Sequence, residues 1–116
     1  MTAEIAVRAR FVGFHAWPDA PPLRSYLASR HRHEFHVELR ARVTHDDRQI
    51  EFHDLKDHLS ESLPDRNEEL GAMSCEMIAR RLLDRLDDRY GDALLWCEVW
   101  EDGEVGARVY GRGASC

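Results

Sequence analysis

Between His31 and Val43 the chain reads HRHEFHVELRARV. From Phe35 onward every second residue is apolar, and the residues between them are polar or charged. Side chains two apart on a β-strand point to the same face, so this alternation is typical of a strand with one buried face. We therefore predict a half-buried strand that carries two histidines, His31 and His33, at the head of its apolar face.

An earlier segment shows the same period of two. Residues 5–15 read IAVRARFVGFH, and we predict a second half-buried strand there, with His15 on its apolar face. Residues 16–22 contain three prolines, which fix φ and remove backbone donors, so we expect a loop. Residues 23–30 have room for one helical turn on that loop.

Two amphipathic helices are predicted downstream. The first begins near Asp54, a good N-cap residue, and is stopped by Pro64. The second begins near Ser74, another N-cap candidate, and ends at Gly91, a residue type favoured at the C′ position. Residues 49–52, before the first helix, are compatible with a short returning strand.

The chain closes with a predicted hairpin. Residues 94–101 and 104–110 are strand-like, and Asp102-Gly103 between them favours a type I′ turn. Strands before and after two helices indicate one α+β domain over residues 1–116, in which two antiparallel β-hairpins bracket two helices. So small a sheet leaves both of its edges open in a monomer.

Composition restricts the classes of function. Apolar residues make up 43% of the 116 residues, and 22 acidic against 16 basic residues give a net charge of -6. Nucleic-acid-binding proteins normally carry a basic excess, so we expect no nucleic-acid partner. We expect no membrane partner either, because no apolar run is long enough to span a bilayer. The odd cysteine count and the lack of a secretory signal predict a cytoplasmic location. The three cysteines are Cys75, Cys97 and Cys116.

Three of the seven histidines have matching positions on the two first strands. If these strands pair antiparallel, His15 at the end of one lies beside His31 and His33 at the start of the other. Three neutral imidazoles with an open fourth position form a catalytic zinc arrangement. Alternatively, an H-x-H pair arises by chance in a histidine-rich chain. The remaining histidines fit solvated surface positions: His36, His45, His53 and His58.

Five segments resemble the motifs of one enzyme family, in the family's order. FVGFH at 11–15 resembles an F-x-A-A-H strand end, HRHEF at 31–35 resembles H-G-H-x-[YF], and IEFHDLK at 50–56 resembles V-x-D-F-x-x-L-K. MSCEMIA at 73–79 resembles P-T-[SA]-E-N-[IL]-A, and VWE at 99–101 resembles the strand that ends in an E-T pair. The family is that of the 6-pyruvoyltetrahydropterin and 6-carboxytetrahydropterin (QueD-like) synthases.

The resemblance implies a fold, an assembly and a cofactor. It implies the T-fold, or tunnelling fold, in which oligomerisation closes a barrel, and a homo-oligomer built as a hexamer, a dimer of trimers. It implies a zinc-dependent lyase that acts on a pterin-like or purine-like substrate. Zn²⁺ would be held by His15, His31 and His33.

The resemblance also assigns substrate-binding residues. Glu101 is implied as the carboxylate that anchors the heterocycle, because it can accept two N–H bonds from a 2-amino-4-oxo ring edge. Its parity with Leu95 and Cys97 lets it face inward; otherwise it is an exposed acid before a turn. Ser74 and Cys75 match positions that touch the pterin, although Ser74 is equally an N-cap and Cys75 its neighbour.

Two positions depart from the family pattern. Leu27 occupies the place of the nucleophilic cysteine, four residues before His31. Leu63-Pro64-Asp65-Arg66 is the nearest match to the family's L-D-H loop, and it has no histidine. Asp65 and His58 are candidates for a substitute acid–base pair, or else solvated helix-end residues. Two functions stay open: a divergent zinc lyase with a non-cysteine base, and a non-catalytic T-fold protein that binds a pterin or purine or serves an assembly.

Overall fold

A five-stranded sheet packs against two α-helices in the computed structural model, which describes residues 2–115. Met1 and Cys116 lie outside the described residues. The main elements, in chain order, are β1 (Ala3–His15), β2 (His31–Val43), α1 (Phe52–Ser62), β3 (Glu68–Glu69), α2 (Cys75–Tyr90), β4 (Leu94–Glu101) and β5 (Val105–Tyr110). Short 3₁₀ segments occupy Pro22–Leu27, Gly91–Ala93 and Arg112–Ser115.

The strand order across the sheet is β3-β1-β2-β4-β5. β1 and β2 pair antiparallel over their full length, from Ala3 opposite Val43 to His15 opposite His31. β4 pairs antiparallel with both β2 and β5, while the two-residue β3 runs parallel to the end of β1. The predicted α+β class, with two antiparallel hairpins bracketing two helices, is confirmed.

The inner face of the sheet and one side of each helix form the core. Burial alternates along β1 and β2 as predicted, and Phe35 and Leu39 are fully buried. Each fully buried leucine or phenylalanine contributes about 1.5–3 kcal/mol to folding. The helices contribute Leu55, Leu59, Ile78, Ala79, Leu82, Leu83 and Leu86. No helix within residues 2–115 has the length and apolar character needed to cross a membrane.

The predicted returning strand at residues 49–52 is wrong. The Glu51 carboxylate accepts a hydrogen bond from the Asp54 backbone N–H at 3.1 Å, so Glu51 is the N-cap and α1 begins at Phe52. Asp54 lies in the first turn, where the helix dipole favours its charge. The chain therefore enters a helix at this point and does not return along the sheet.

Two further positions differ from expectation. Gly91 is a right-handed C-cap, with φ -44° and ψ -49°, and not a left-handed C′ residue. A Cβ there would meet only the ends of the Arg112 and Asp87 side chains, which can shift, so the backbone does not require a glycine at this position. In β4 a bulge brings Leu94 opposite Ala41, so Leu94 is buried in place of Leu95.

The hairpin turn between β4 and β5 follows the prediction. Asp102 and Gly103 have φ of 53° and 73°, and the Glu104 N–H donates to the Glu101 carbonyl at 2.9 Å. Positive φ at both central residues is the property of a type I′ turn. β5 begins one residue later than predicted, at Val105.

Candidate metal centre and adjoining cleft

Three histidines meet where β1 ends and β2 begins. The antiparallel register places His31 opposite His15 and His33 opposite Gly13, as the shared parity predicted. The ring centroids lie 4.5–5.2 Å apart, and the rings meet edge to face. One ligand nitrogen from each ring lies within 4.8 Å of the other two. This histidine triad forms a group that can hold one metal ion.

Each ring of the triad has a hydrogen-bond partner at Nδ1. His15 Nδ1 lies 2.9 Å from the Met73 carbonyl oxygen, and His31 Nδ1 lies 2.9 Å from that of Ser29. His33 Nδ1 lies 2.6 Å from Oδ2 of Asp102. Carbonyl and carboxylate oxygens only accept, so each Nδ1 donates, and Nε2 is the atom that can bind a metal.

The Nε2 atoms of His15 and His33 are buried, and neither has a hydrogen-bond partner among the described residues. They face the Glu101 carboxylate, at 3.6 Å from Oε1 and 3.1 Å from Oε2 respectively. A nitrogen lone pair and a carboxylate oxygen this close repel each other unless a cation or a proton lies between them. Imidazole nitrogens suit zinc and other transition metals, so the residues present fit such an ion.

Electrostatics favour the ligand form of His15. Burial lowers the pKa of His15 below 6.5, and the neighbouring rings of His31 and His33 act in the same direction. Hydrogen bonding to Met73 and the charge of Glu101 oppose this shift without cancelling it. His15 is therefore neutral at pH 7, as a metal ligand must be.

A cleft of about 440 Å³ opens beside the triad. Its walls include His15 and His31, the start of α2, and Glu101 at the end of β4. The Glu101 side chain is 21% exposed, so its carboxylate reaches the cleft as well as the histidines. The volume lies within the range of small-molecule sites.

Comparisons with known proteins agree on the architecture. No protein-family model matches the chain, and no curated protein matches it. The 6-pyruvoyl tetrahydropterin synthase of Caenorhabditis elegans superposes with a TM-score of 0.74 at 12% identity, over 96% of each chain. The chain has the fold of the 6-pyruvoyl tetrahydropterin synthases. The T-fold expected from the sequence is thus confirmed.

Two other solved structures share this T-fold. An uncharacterized protein of Wolinella succinogenes, WS1659, has a TM-score of 0.72 and 15% identity, over 95% of this chain and 98% of its own. The 6-pyruvoyl tetrahydropterin synthase of Plasmodium vivax has a TM-score of 0.62 and 16% identity, over 94% and 97%. At these identities the likeness establishes the fold.

Within the T-fold, Ser74 and Cys75 stand at the start of α2 and line the cleft. The Ser74 hydroxyl accepts from the Met77 N–H at 3.2 Å, so it caps the helix. The Cys75 thiol donates to Oε1 of Glu101 at 3.7 Å. Burial, and secondly the charge of Glu101, raise the pKa of Cys75 to about 12. This cysteine is a protonated thiol at neutral pH. Leu27 also lines the cleft.

The two acid–base candidates lie elsewhere in the T-fold. His58 Nδ1 is 2.5 Å from the Tyr90 hydroxyl, at the last residue of α2. Cys75 is the first residue of this 16-residue helix, so the two ends lie about 24 Å apart at 1.5 Å per residue. Asp65 is exposed after α1, and its carbonyl accepts from the Glu68 N–H at 2.8 Å. Neither residue is among those that line the cleft beside the histidine triad.

Sequence reasoning missed the partners of the triad. The sequence marks Asp102 only as a turn residue, whereas the antiparallel register that sets Glu101 opposite Phe35 brings Asp102 close to His33. The alternation of faces along the strands, combined with the position of Asp102 in the turn, is the sequence signal for its contact with His33. The roles of the Met73 and Ser29 carbonyls cannot be predicted from residue type, because every residue has a backbone carbonyl.

Proposed function

We propose that this chain, as one domain over residues 1–116, is a divergent zinc-dependent lyase of the 6-pyruvoyl/6-carboxytetrahydropterin synthase type. Its substrate is a pterin-like or purine-like ring bound in the cleft. The observation that carries the proposal is the pair of buried, partnerless Nε2 atoms of His15 and His33, with His31 completing the triad. A merely structural T-fold has no need of such a group.

His15, His31 and His33 would hold Zn²⁺ through Nε2. When bound there, zinc supplies Lewis-acid polarisation of a substrate carbonyl or hydroxyl oxygen. The chain's own contribution is to orient the three rings. The Nδ1 contacts with Met73, Ser29 and Asp102 perform that task.

Glu101 is proposed to anchor the heterocycle. A carboxylate can accept two parallel N–H bonds from a 2-amino-4-oxo ring edge. The Glu101 side chain is partly exposed in the cleft, beside the triad, which supports this role. Trp17, Leu27 and Met77 also line the cleft and offer apolar surface to the faces of a flat ring.

A second function, ring binding without catalysis, is favoured by one specific observation. The cleft has Leu27 on one wall and, on another, a Cys75 thiol whose pKa is raised to about 12. Neither is a good base at neutral pH, and general acid–base help contributes typically about 10²–10⁴ in rate. The lyase would need another proton acceptor, with Asp65 and His58 as candidates only if they come from a neighbouring subunit.

The proposal includes assembly and location. We propose a cytoplasmic homo-oligomer, a hexamer formed as a dimer of trimers. The outer edge of β5, and the outer edge of β1 beyond its two-residue pairing with β3, are open in one chain, which supports strand pairing between subunits. Cys75 and Cys97 are free thiols, as expected in a reducing compartment.

The test combines ring binding with turnover. Pterin, dihydroneopterin and guanine are titrated into zinc-loaded wild type, Glu101→Gln and Glu104→Gln. Glu104 is an exposed acid on the same hairpin and serves as the matched control. We expect binding that is lost in Glu101→Gln and kept in Glu104→Gln; equal binding by all three would overturn the anchor assignment.

Turnover separates the two functions. Zinc-loaded wild type is incubated with dihydroneopterin triphosphate, and 6-pyruvoyl or 6-carboxy products are sought by mass spectrometry. Slow, zinc-dependent turnover supports the divergent lyase. Ring binding with no turnover of any bound ring supports the non-catalytic function.

A further inference from the structure

His33 lies between two carboxylates, one at each ring nitrogen. Asp102 Oδ2 is 2.6 Å from Nδ1, and Glu101 Oε2 is 3.1 Å from Nε2. A neutral imidazole has one N–H and can donate to only one of them. The shorter contact belongs to Asp102, so Glu101 faces the bare lone pair of Nε2.

Asp102 is itself fixed on two sides. Its Oδ1 accepts from the Glu34 backbone N–H at 2.9 Å, and its own N–H donates to the Glu34 carbonyl at 2.8 Å. Its φ of 53° is a conformation that Asp and Asn tolerate better than most residues. These contacts direct the carboxylate back over the head of β2, against the edge of the His33 ring.

From this arrangement we infer that Asp102 is a positioning residue for the proposed metal site. It keeps the proton of His33 on Nδ1, sets the ring orientation, and directs the Nε2 lone pair towards the space shared with His15 and His31. The inference rests on the proposed function, since the ring has a ligand role only if the triad holds a metal.

Asp102 differs from the other two Nδ1 partners in charge. His15 and His31 donate to the carbonyls of Met73 and Ser29, whereas His33 donates to a carboxylate. An anionic acceptor makes the opposite nitrogen a stronger donor to a metal, and such outer partners typically change metal affinity by about 10–100-fold. The His33 side chain is only 16% exposed, whereas that of Asp102 is 45% exposed, so solvent screens part of the carboxylate charge.

Three substitutions distinguish the effect of the Asp102 charge, the effect of its contact with His33, and the effect of any negative charge in the turn. Asp102→Asn removes the charge, tolerates the positive φ and keeps one acceptor oxygen, so it can accept from His33 or from the Glu34 N–H but not from both. Asp102→Gly removes the contact and still permits the positive φ. Glu104→Gln removes one negative charge from the same turn and leaves Asp102 in place, so it is the matched control. Circular dichroism verifies that each variant is folded.

The first measurement needs no metal. Long-range ¹H–¹⁵N spectra of the metal-free protein at pH 8 report which nitrogen of each histidine carries the proton. We expect His33 of wild type and Glu104→Gln to be the Nδ1–H tautomer. We expect Asp102→Gly to lose this preference while His15 and His31 keep theirs. An Nε2–H or doubly protonated His33 in wild type, or an unchanged His33 in Asp102→Gly, would overturn the inference.

The second measurement is zinc affinity by competition with a chromophoric chelator. Asp102→Gly should bind zinc about 10–100-fold more weakly than wild type. Asp102→Asn should fall between the two, and Glu104→Gln should match wild type. Wild-type affinity in Asp102→Gly would overturn the inference and leave the metal site standing. A wild type that binds no zinc would overturn the proposed function, and the tautomer spectra would still decide whether Asp102 holds the ring.

Discussion

The Cys75 thiol donates to Oε1 of Glu101 across 3.7 Å, so the first residue of α2 is joined to the last residue of β4. Reactive cysteines sit near positive charge, which stabilises the thiolate. Here the neighbour is a carboxylate, and the pKa of Cys75 rises to about 12. Burial, reinforced by this carboxylate, therefore makes the Cys75 thiol unreactive and leaves it a hydrogen-bond donor to Glu101.

Cys75 should react slowly with alkylating reagents. At pH 8 a pKa of about 12 in place of 9.0 lowers the thiolate fraction by about 10³-fold, three pKa units. We expect iodoacetamide to modify Cys75 at least 100-fold more slowly than a free thiol, in a Cys116→Ser background and as followed by peptide mass. Glu101→Gln should accelerate the reaction, whereas Glu104→Gln should not. Rapid modification of Cys75 in the parent protein would contradict the burial of this thiol.

Alkaline pH should destabilise the fold through its buried thiols. Burial raises the pKa of both Cys75 and Cys97 from 9.0 to about 12, so the folded chain retains protons that the unfolded chain loses. Their contribution to the free energy of unfolding is complete below pH 9 and is lost as the pH rises towards 12. Urea denaturation at pH 7.5 and 10.5 should show a smaller loss in a Cys75→Ala/Cys97→Ala variant than in the parent. Equal losses would exclude these thiols as the cause.

Zinc content should depend on the histidine triad and not on the other histidines. His33→Ala removes a proposed ligand, so elemental analysis of tag-free protein should fall from one zinc per chain to near zero. His36 lies on the same strand but faces the other side, with Nε2 3.1 Å from Glu34. His36→Ala should therefore keep its zinc. If both variants lost zinc equally, or neither did, the assignment of the triad would be wrong.

Assembly should depend on the open edge of the sheet. Tyr110 lies on β5, the edge strand, and its side chain is 61% exposed. We expect light scattering of wild type at micromolar concentration to give a hexameric mass, and Tyr110→Glu to give a smaller one. Phe52, an exposed aromatic at the start of α1, provides the control Phe52→Glu. A monomeric wild type would refute the proposed hexamer.

Most of the fold follows from local pattern. The face to which a strand residue points depends only on the two-residue period, so the alternation from Phe35 onward predicts which face is buried. The same rule, applied to His15 on β1, predicts that the three histidines of the triad converge. The strand predicted at residues 49–52 failed because a side-chain cap by Glu51 has no periodic signal. The bulge that buries Leu94 in place of Leu95 depends on pairing with Ala41, which the local pattern does not contain.

The site was less predictable than the fold. Residue type and chain order make His58 and Asp65 candidates, but the length of α2 separates His58 from the cleft. The pKa of Cys75 depends first on its burial and then on the charge of Glu101, 26 residues further along the chain. This pKa is set by tertiary packing, so it can be assigned only once the positions of both α2 and β4 are known.

The turn at Asp102-Gly103 also limits how the length of this chain can vary. Hairpin loops ordinarily tolerate insertions and deletions, because they lie at the surface away from the core. Here one added or deleted residue would carry the Asp102 carboxylate away from His33 and from the Glu34 backbone, although both strands could still pair. A loop graft that keeps β4 and β5 intact should therefore preserve the five-stranded sheet and still weaken zinc binding at the proposed site.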